Sequence, residues 1–134
     1  MTNPVDREAI FSNLVSAFAM DVTSVIPMAM DENATLVVPG NTKYAGERRG
    51  REEIGRFVVG MRRILEANDA PADFSHAGDH MLVTLRVRAD VEGAPRDMTL
   101  GFRIGFDEDD QITYLVIEPE DVELFDKVLL AALS

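Results

Sequence analysis

Apolar residues recur along this chain with two periods, and the switches between them mark the elements. Ile10, Phe11, Leu14, Val15 and Phe18 fall at helical spacing and predict a helix over residues 4–20 with one buried face. Asn3 suits its N-cap, Pro4 its first position and Asp6 its positive first turn. Asp21 reads as the cap of a second, shorter helix through Met30, which Pro27 leaves short, bent or partly 3₁₀. Asp31, Glu32 and Asn33 predict a turn. Residues 34–38 predict a first strand, ended by Pro39-Gly40. A polar loop over 41–49 follows, with a short strand near Tyr44. The helical period then returns in Ile54, Phe57, Val58, Met61, Ile64 and Leu65, predicting a third helix from Gly50 to about Asn68. Ala70, Pro71 and Ala72 break it.

Beyond this break the period becomes two. Residues 74–91 predict a long strand with a bulge at Gly78-Asp79. Met81, Val83, Leu85, Val87, Ala89 and Val91 face one way, and Thr84, Arg86, Arg88 and Asp90 the other. Glu92 to Pro95 make a hairpin turn into a strand over 96–106, which puts Met98, Leu100, Phe102, Ile104 and Phe106 on one face. A last strand covers 111–118. Pro119 then opens a final helix with Glu120 and Asp121 in its first turn. Helices followed by a strand meander indicate one α+β domain over residues 1–134.

Composition narrows the function classes. The net charge of −11, from 13 basic against 24 acidic residues, lacks the basic footprint of a nucleic-acid binder and repels anionic lipid surfaces. Arg48, Arg49 and Arg51 form one basic cluster that Glu47, Glu52 and Glu53 dilute. It reads as a solvated loop and helix start, with anion binding as the competing reading. Absence of cysteine excludes disulfides and thiolate chemistry. There is neither a signal-peptide core nor a membrane-length apolar run, so a cytoplasmic protein is expected. His76 and His80 show no metal-ligand spacing, and neither a metal nor another cofactor is expected.

The segments ATLVVPG, YAGERRGREEI, AGDHMLVTLRVRADVEG and DDQITYLVIEPEDVELF resemble the SnoaL-like branch of the nuclear transport factor 2-like (ketosteroid isomerase-like) superfamily. The resemblance covers nearly the whole chain. It rests on the Asp after helix 1, the Pro-Gly after strand 1, the Gly-x-Glu-x-Ile helix start and the Gly-Asp before the long strand. It implies an α+β cone, with a curved antiparallel sheet packed on three main helices around a central pocket. It also implies a homodimer through the outer face of the sheet. The roles found on this fold include isomerisation, cyclisation, dehydration, hydrolysis and plain binding, so fold alone does not choose among them.

The site residues test these roles. Steroid isomerases of this fold place a base just before the strand-1 Pro-Gly and a second acid on the penultimate strand. Val38 and Phe102 align there, and neither side chain can exchange a proton. Epoxide hydrolases of the fold use an Arg-x-Asp pair. Arg88-Ala89-Asp90 matches superficially, but with Arg86 and Arg103 it reads better as an ion network outside the sheet. Glu118 shares strand parity with Ile112, Tyr114 and Val116. Facing inward it would be a carboxyl in an apolar cavity, suited to acid or base work. Facing outward it caps the next helix. His76 would join Glu118 in proton transfer, or serve as framework. Tyr44, Tyr114, Val38, Phe57, Met61 and Phe102 are the expected ligand contacts. Two readings stand: a general acid/base enzyme acting on a small hydrophobic molecule, and a non-catalytic ligand-binding or dimeric interaction module.

Overall fold

The structure is a computed structural model, and it describes residues 4–67 and 72–134. Asn3, Asn68, Ala70 and Pro71, used above as helix start and stop signals, lie outside the described residues. The chain runs through helix α1 (Pro4–Ala19) and two 3₁₀ turns (Thr23–Val25 and Pro27–Ala29) into strands β1 (Met30–Val38) and β2 (Gly46–Arg49). Helix α2 (Arg51–Arg62) and strands β3 (Leu65–Ala67), β4 (Asp73–Ala77) and β5 (His80–Val91) follow. Strands β6 (Ala94–Phe106) and β7 (Ile112–Pro119) and helix α3 (Val122–Leu133) complete it.

All seven strands form one open sheet in the order β2-β1-β7-β6-β5-β3, with β4 also paired to β5. The expected antiparallel sheet is in fact mixed, because β1 and β7 pair in parallel. The alternation read from sequence is the burial pattern observed. Met81, Val83, Leu85, Val87, Ala89 and Val91 are buried on the inner face of β5, and Met98, Leu100 and Ile104 continue that face on β6. Helices α2 and α3 cover it with Ile54, Phe57, Met61, Phe125, Val128 and Leu129.

Several expected boundaries move, each for a local reason. Asp21 adopts a φ of 60° after α1, and the following 3₁₀ turn has no side-chain cap, so Asp21 ends one helix and does not cap the next. Asp31 to Asn33 are not a turn between elements. They form an irregularity inside β1, whose pairing slips between Met30↔Ile112 and Thr35↔Tyr114. The Asp31 carboxylate holds this kink by accepting the Asn33 N–H at 2.8 Å.

Helix α2 begins after Gly50, whose φ of 90° suits glycine and whose N–H reaches the Ala34 carbonyl at 2.9 Å. It stops at Arg62 instead of continuing toward Asn68. Residues 65–67 pair with β5, Leu65 opposite Ala89, because a free sheet edge offers the same backbone bonds a longer helix would. The expected bulge at Gly78-Asp79 is a two-residue hairpin turn, Ala77 facing His80, with Gly78 at φ 65°. Pro119 ends β7, and Asp121 caps α3 by accepting the Leu124 N–H at 3.0 Å.

Candidate functional site

The helices do not fill the inner face completely. A cavity of about 140 Å³, with partly exposed residues at its margin, remains between α1, α2, α3 and the sheet. Phe11 and Phe18 of α1 form one wall, Phe57 and Met61 of α2 another, and Leu85, Val87, Leu100, Phe102, Leu115 and Ile117 the sheet side. Every lining residue is apolar. The rings of Phe11 and Phe102 meet at 5.5 Å between centroids, and Phe11 meets Phe74 edge-on at 6.2 Å. Helix α1 is held over the cavity by polar contacts at its margins. Arg7 faces Asp110 at 3.5 Å, and Arg62 donates to the Phe18 carbonyl at 2.8 Å.

Of the residues expected to form a site, the structure brings Phe57, Met61 and Phe102 together on the cavity wall. The others lie elsewhere. Val38 is buried in the core but off the lining. Tyr114 is on the outer face, its ring lying against Gly105 and 5.4 Å from that of His80. Desolvation, reinforced by the Asp79 charge and opposed by Arg103, raises the Tyr114 pKa above its ordinary 10.0. Tyr44 lies outside the cavity, its hydroxyl 3.3 Å from Ser134 Oγ.

The two expected proton carriers do not meet. Glu118 is exposed on the outer face and pairs with Arg103 at 3.3 Å. The parity that would have turned it inward is broken at Thr113. Ile112 faces Phe106 and Tyr114 faces Gly105, so one extra residue on β7 reverses the alternation and leaves Leu115 and Ile117 inward. Nor does Glu118 cap α3, a role taken by Asp121. His76 is on β4, where its Nε2 sits 2.7 Å from Glu8 Oε2 and ties the strand to α1. Arg88 pairs across strands with Asp97 at 3.4 Å on the outer face, a partner outside the expected network of Arg86, Arg88, Asp90 and Arg103. Among the described residues no group of three or more His, Cys, Asp or Glu is placed to hold a metal ion.

A second space lies against the first. A recess of about 320 Å³ is bounded by Tyr44, Arg48, Glu53, Arg56, Phe57 and Leu133. Phe57 therefore faces both spaces. The Arg48 guanidinium carbon stands 4.8 Å from the centroid of its ring. Burial lowers the Arg48 pKa from the usual arginine value, and the nearby Glu53 carboxylate acts in the opposite sense. Arg48 belongs to the cluster that reads in sequence as a solvated loop. The signal missed there is pairing: Arg48 lies opposite Leu36 across the Pro39-Gly40 connection, and Leu36 lines the cavity.

No protein-family model matches the sequence, and no relative among curated proteins does. Solved structures do match. A Xanthomonas campestris protein of unknown function with a cystatin-like fold superposes with a TM-score of 0.79 at 17% identity, over 95% of this chain and 98% of that one. A nuclear transport factor 2-like protein from Burkholderia xenovorans gives 0.78 at 15% identity, over 96% and 99%. TerC, co-crystallised with polyporic acid, gives 0.75 at 14% identity, over 91% and 97%. The chain has the nuclear transport factor 2-like fold, as the sequence motifs implied. Identities at this level carry the fold and not an activity.

Proposed function

We propose that this protein is a SnoaL-like binding module that holds a small apolar molecule in its cavity without proton-transfer chemistry there. The lining carries this reading: around about 140 Å³ of space every side chain is apolar. A general acid or base must lie within hydrogen-bond reach of the proton it moves. Glu118 is held outside by Arg103 and His76 by Glu8, which favours the non-catalytic alternative over the enzyme. A dry engineered cavity of about 150 Å³ accepts benzene, which sets the ligand scale at one aromatic ring with a small substituent. That TerC was crystallised with polyporic acid is in keeping with an organic ligand on this fold.

Thermal unfolding with increasing ethylbenzene tests the proposal. A ligand at about 100 times its dissociation constant stabilises the folded state by about 2.7 kcal/mol. The melting temperature rises, and the methyl resonances of Leu85, Leu100 and Leu115 shift. Unchanged melting together with unchanged methyl resonances would sink the reading.

A homodimer through the outer sheet face is a second, compatible reading. Leu82 of β5 is 38% exposed there, with Arg103 of β6 between it and Val116 of β7. Solution mass decides it: a monomer at micromolar concentration overturns the dimer.

A further inference from the structure

The cavity and the outer recess share one wall, the ring of Phe57. On one side of that ring lie apolar groups. On the other lies a guanidinium. The register of β2 puts it there. Arg48 sits directly opposite Leu36 in an antiparallel pair, so its side chain leaves the sheet on the inner face, as Leu36 does. Charge on an inner face is costly unless it is paired.

The other arginines of this stretch are engaged. Arg49 faces Glu47 at 3.9 Å, Arg51 donates to the Met30 carbonyl at 2.9 Å, and Arg56 bonds Glu52 at 2.7 Å. Glu53 accepts the Arg49 N–H at 2.7 Å. Among the described residues the Arg48 side chain has neither a hydrogen bond nor an ion pair. Its guanidinium carbon stands 4.8 Å from the centroid of the Phe57 ring, a cation–π contact that leaves the N–H donors for a planar acceptor.

We propose that Arg48 anchors the head of a ligand that has both an apolar body and a carboxylate. The body occupies the cavity, the carboxylate meets the Arg48 fork, and the Tyr44 hydroxyl lies beside it in the recess. The inference rests on the cavity reading above and adds the chemical class of the ligand. Such a ligand spans the two spaces where they meet, at the Phe57 side chain. Glu53 tunes the preference: its negative charge at the recess opposes a phosphate dianion more than a single carboxylate. The class is therefore an aryl or alkyl monocarboxylic acid, not a phosphate ester.

Calorimetric titration of the full chain with hydrocinnamate, phenethyl phosphate and ethylbenzene tests this. Hydrocinnamate binds more tightly than phenethyl phosphate. Arg48→Met weakens hydrocinnamate about tenfold, as loss of a charge-assisted pair implies, and leaves ethylbenzene within about twofold. Arg48→Lys keeps the charge without the fork and recovers part of the loss. Arg86→Gln removes a charge from the outer face and changes neither ligand. Retained ethylbenzene binding shows that Arg48→Met is folded. If Arg48→Met binds hydrocinnamate like the wild type, or Arg86→Gln weakens it equally, the anchor is refuted while the cavity reading stands. If ethylbenzene does not bind but hydrocinnamate does so through Arg48, the cavity reading and the placement of the apolar body fail, and only the carboxylate contact of Arg48 stands. If neither binds, both fail.

Discussion

Filling the cavity by one methylene gives a test whose sign is diagnostic. Val87 is 4% exposed, sits on the inner face of β5 and lines the cavity. At about 24 cal/mol per Å³, the unfilled space of about 140 Å³ corresponds to about 3 kcal/mol of missing packing. Val87→Leu places one further methylene in that space, worth about 0.8 kcal/mol. Leucine is a weaker strand former than valine, which removes a few tenths. The expected net effect is a stabilisation of about 0.5 kcal/mol. In a close-packed core the same substitution would cost about 1–3 kcal/mol through forced rotamers and backbone shifts. Urea titration followed by circular dichroism separates the two cases. With a slope of about 1–3 kcal/mol per molar, the gain moves the midpoint upward by a few tenths molar at unchanged slope. Ethylbenzene affinity falls in parallel. A midpoint lowered by the equivalent of about 1 kcal/mol or more would refute an open cavity at this position.

Two further outcomes follow from the outer face. Glu118→Gln breaks a half-exposed pair with Arg103, so it changes stability by less than about 1 kcal/mol and leaves ligand binding unaltered; a larger effect on binding, read by calorimetry, would return Glu118 to the site. The raised pKa of Tyr114 means the folded protein holds that proton more tightly than the unfolded chain. Its contribution is complete below about pH 10 and is lost as pH rises through the folded value. In a Tyr44→Phe background, phenolate absorbance reports a single titration above 10.0, and Tyr114→Phe flattens the alkaline decline in stability.

Strands with strict alternation were legible in the sequence because burial on one face writes itself directly as period two. This holds for β5 and for most of β6. The misread places are those where one residue changes the period's meaning. Thr113 is an extra residue on β7, and counting through it left open an inward Glu118 that the shifted register turns outward. Ile64 and Leu65 continue the apolar stripe of α2 equally well as helix or strand, so β3 was hidden inside it. Gly78-Asp79 fits a bulge or a two-residue turn, and only pairing partners distinguish them. That Phe57, Met61 and Phe102 line the cavity was legible because an apolar stripe faces whatever space the core leaves. The inward orientation of Arg48 was not legible, because it depends on the pairing of β2 with β1, which no local pattern records.

The parallel pairing of β1 with β7 bears on how the molecule comes into being. Thr35, Leu36 and Val37 find their partners in Tyr114, Leu115 and Val116, about eighty residues later. A ribosome releasing this chain in order leaves β1 with only the four-residue β2 beside it until nearly the whole sequence has emerged. Closing so long a loop is slow relative to forming the β5–β6 hairpin. The expected order is the β5–β6 meander first and the docking of β1 on β7 later, which pulse-labelled hydrogen exchange during refolding would read. Translation halted before residue 112 yields a chain whose first strand has an open apolar edge, the kind of edge that recruits other chains.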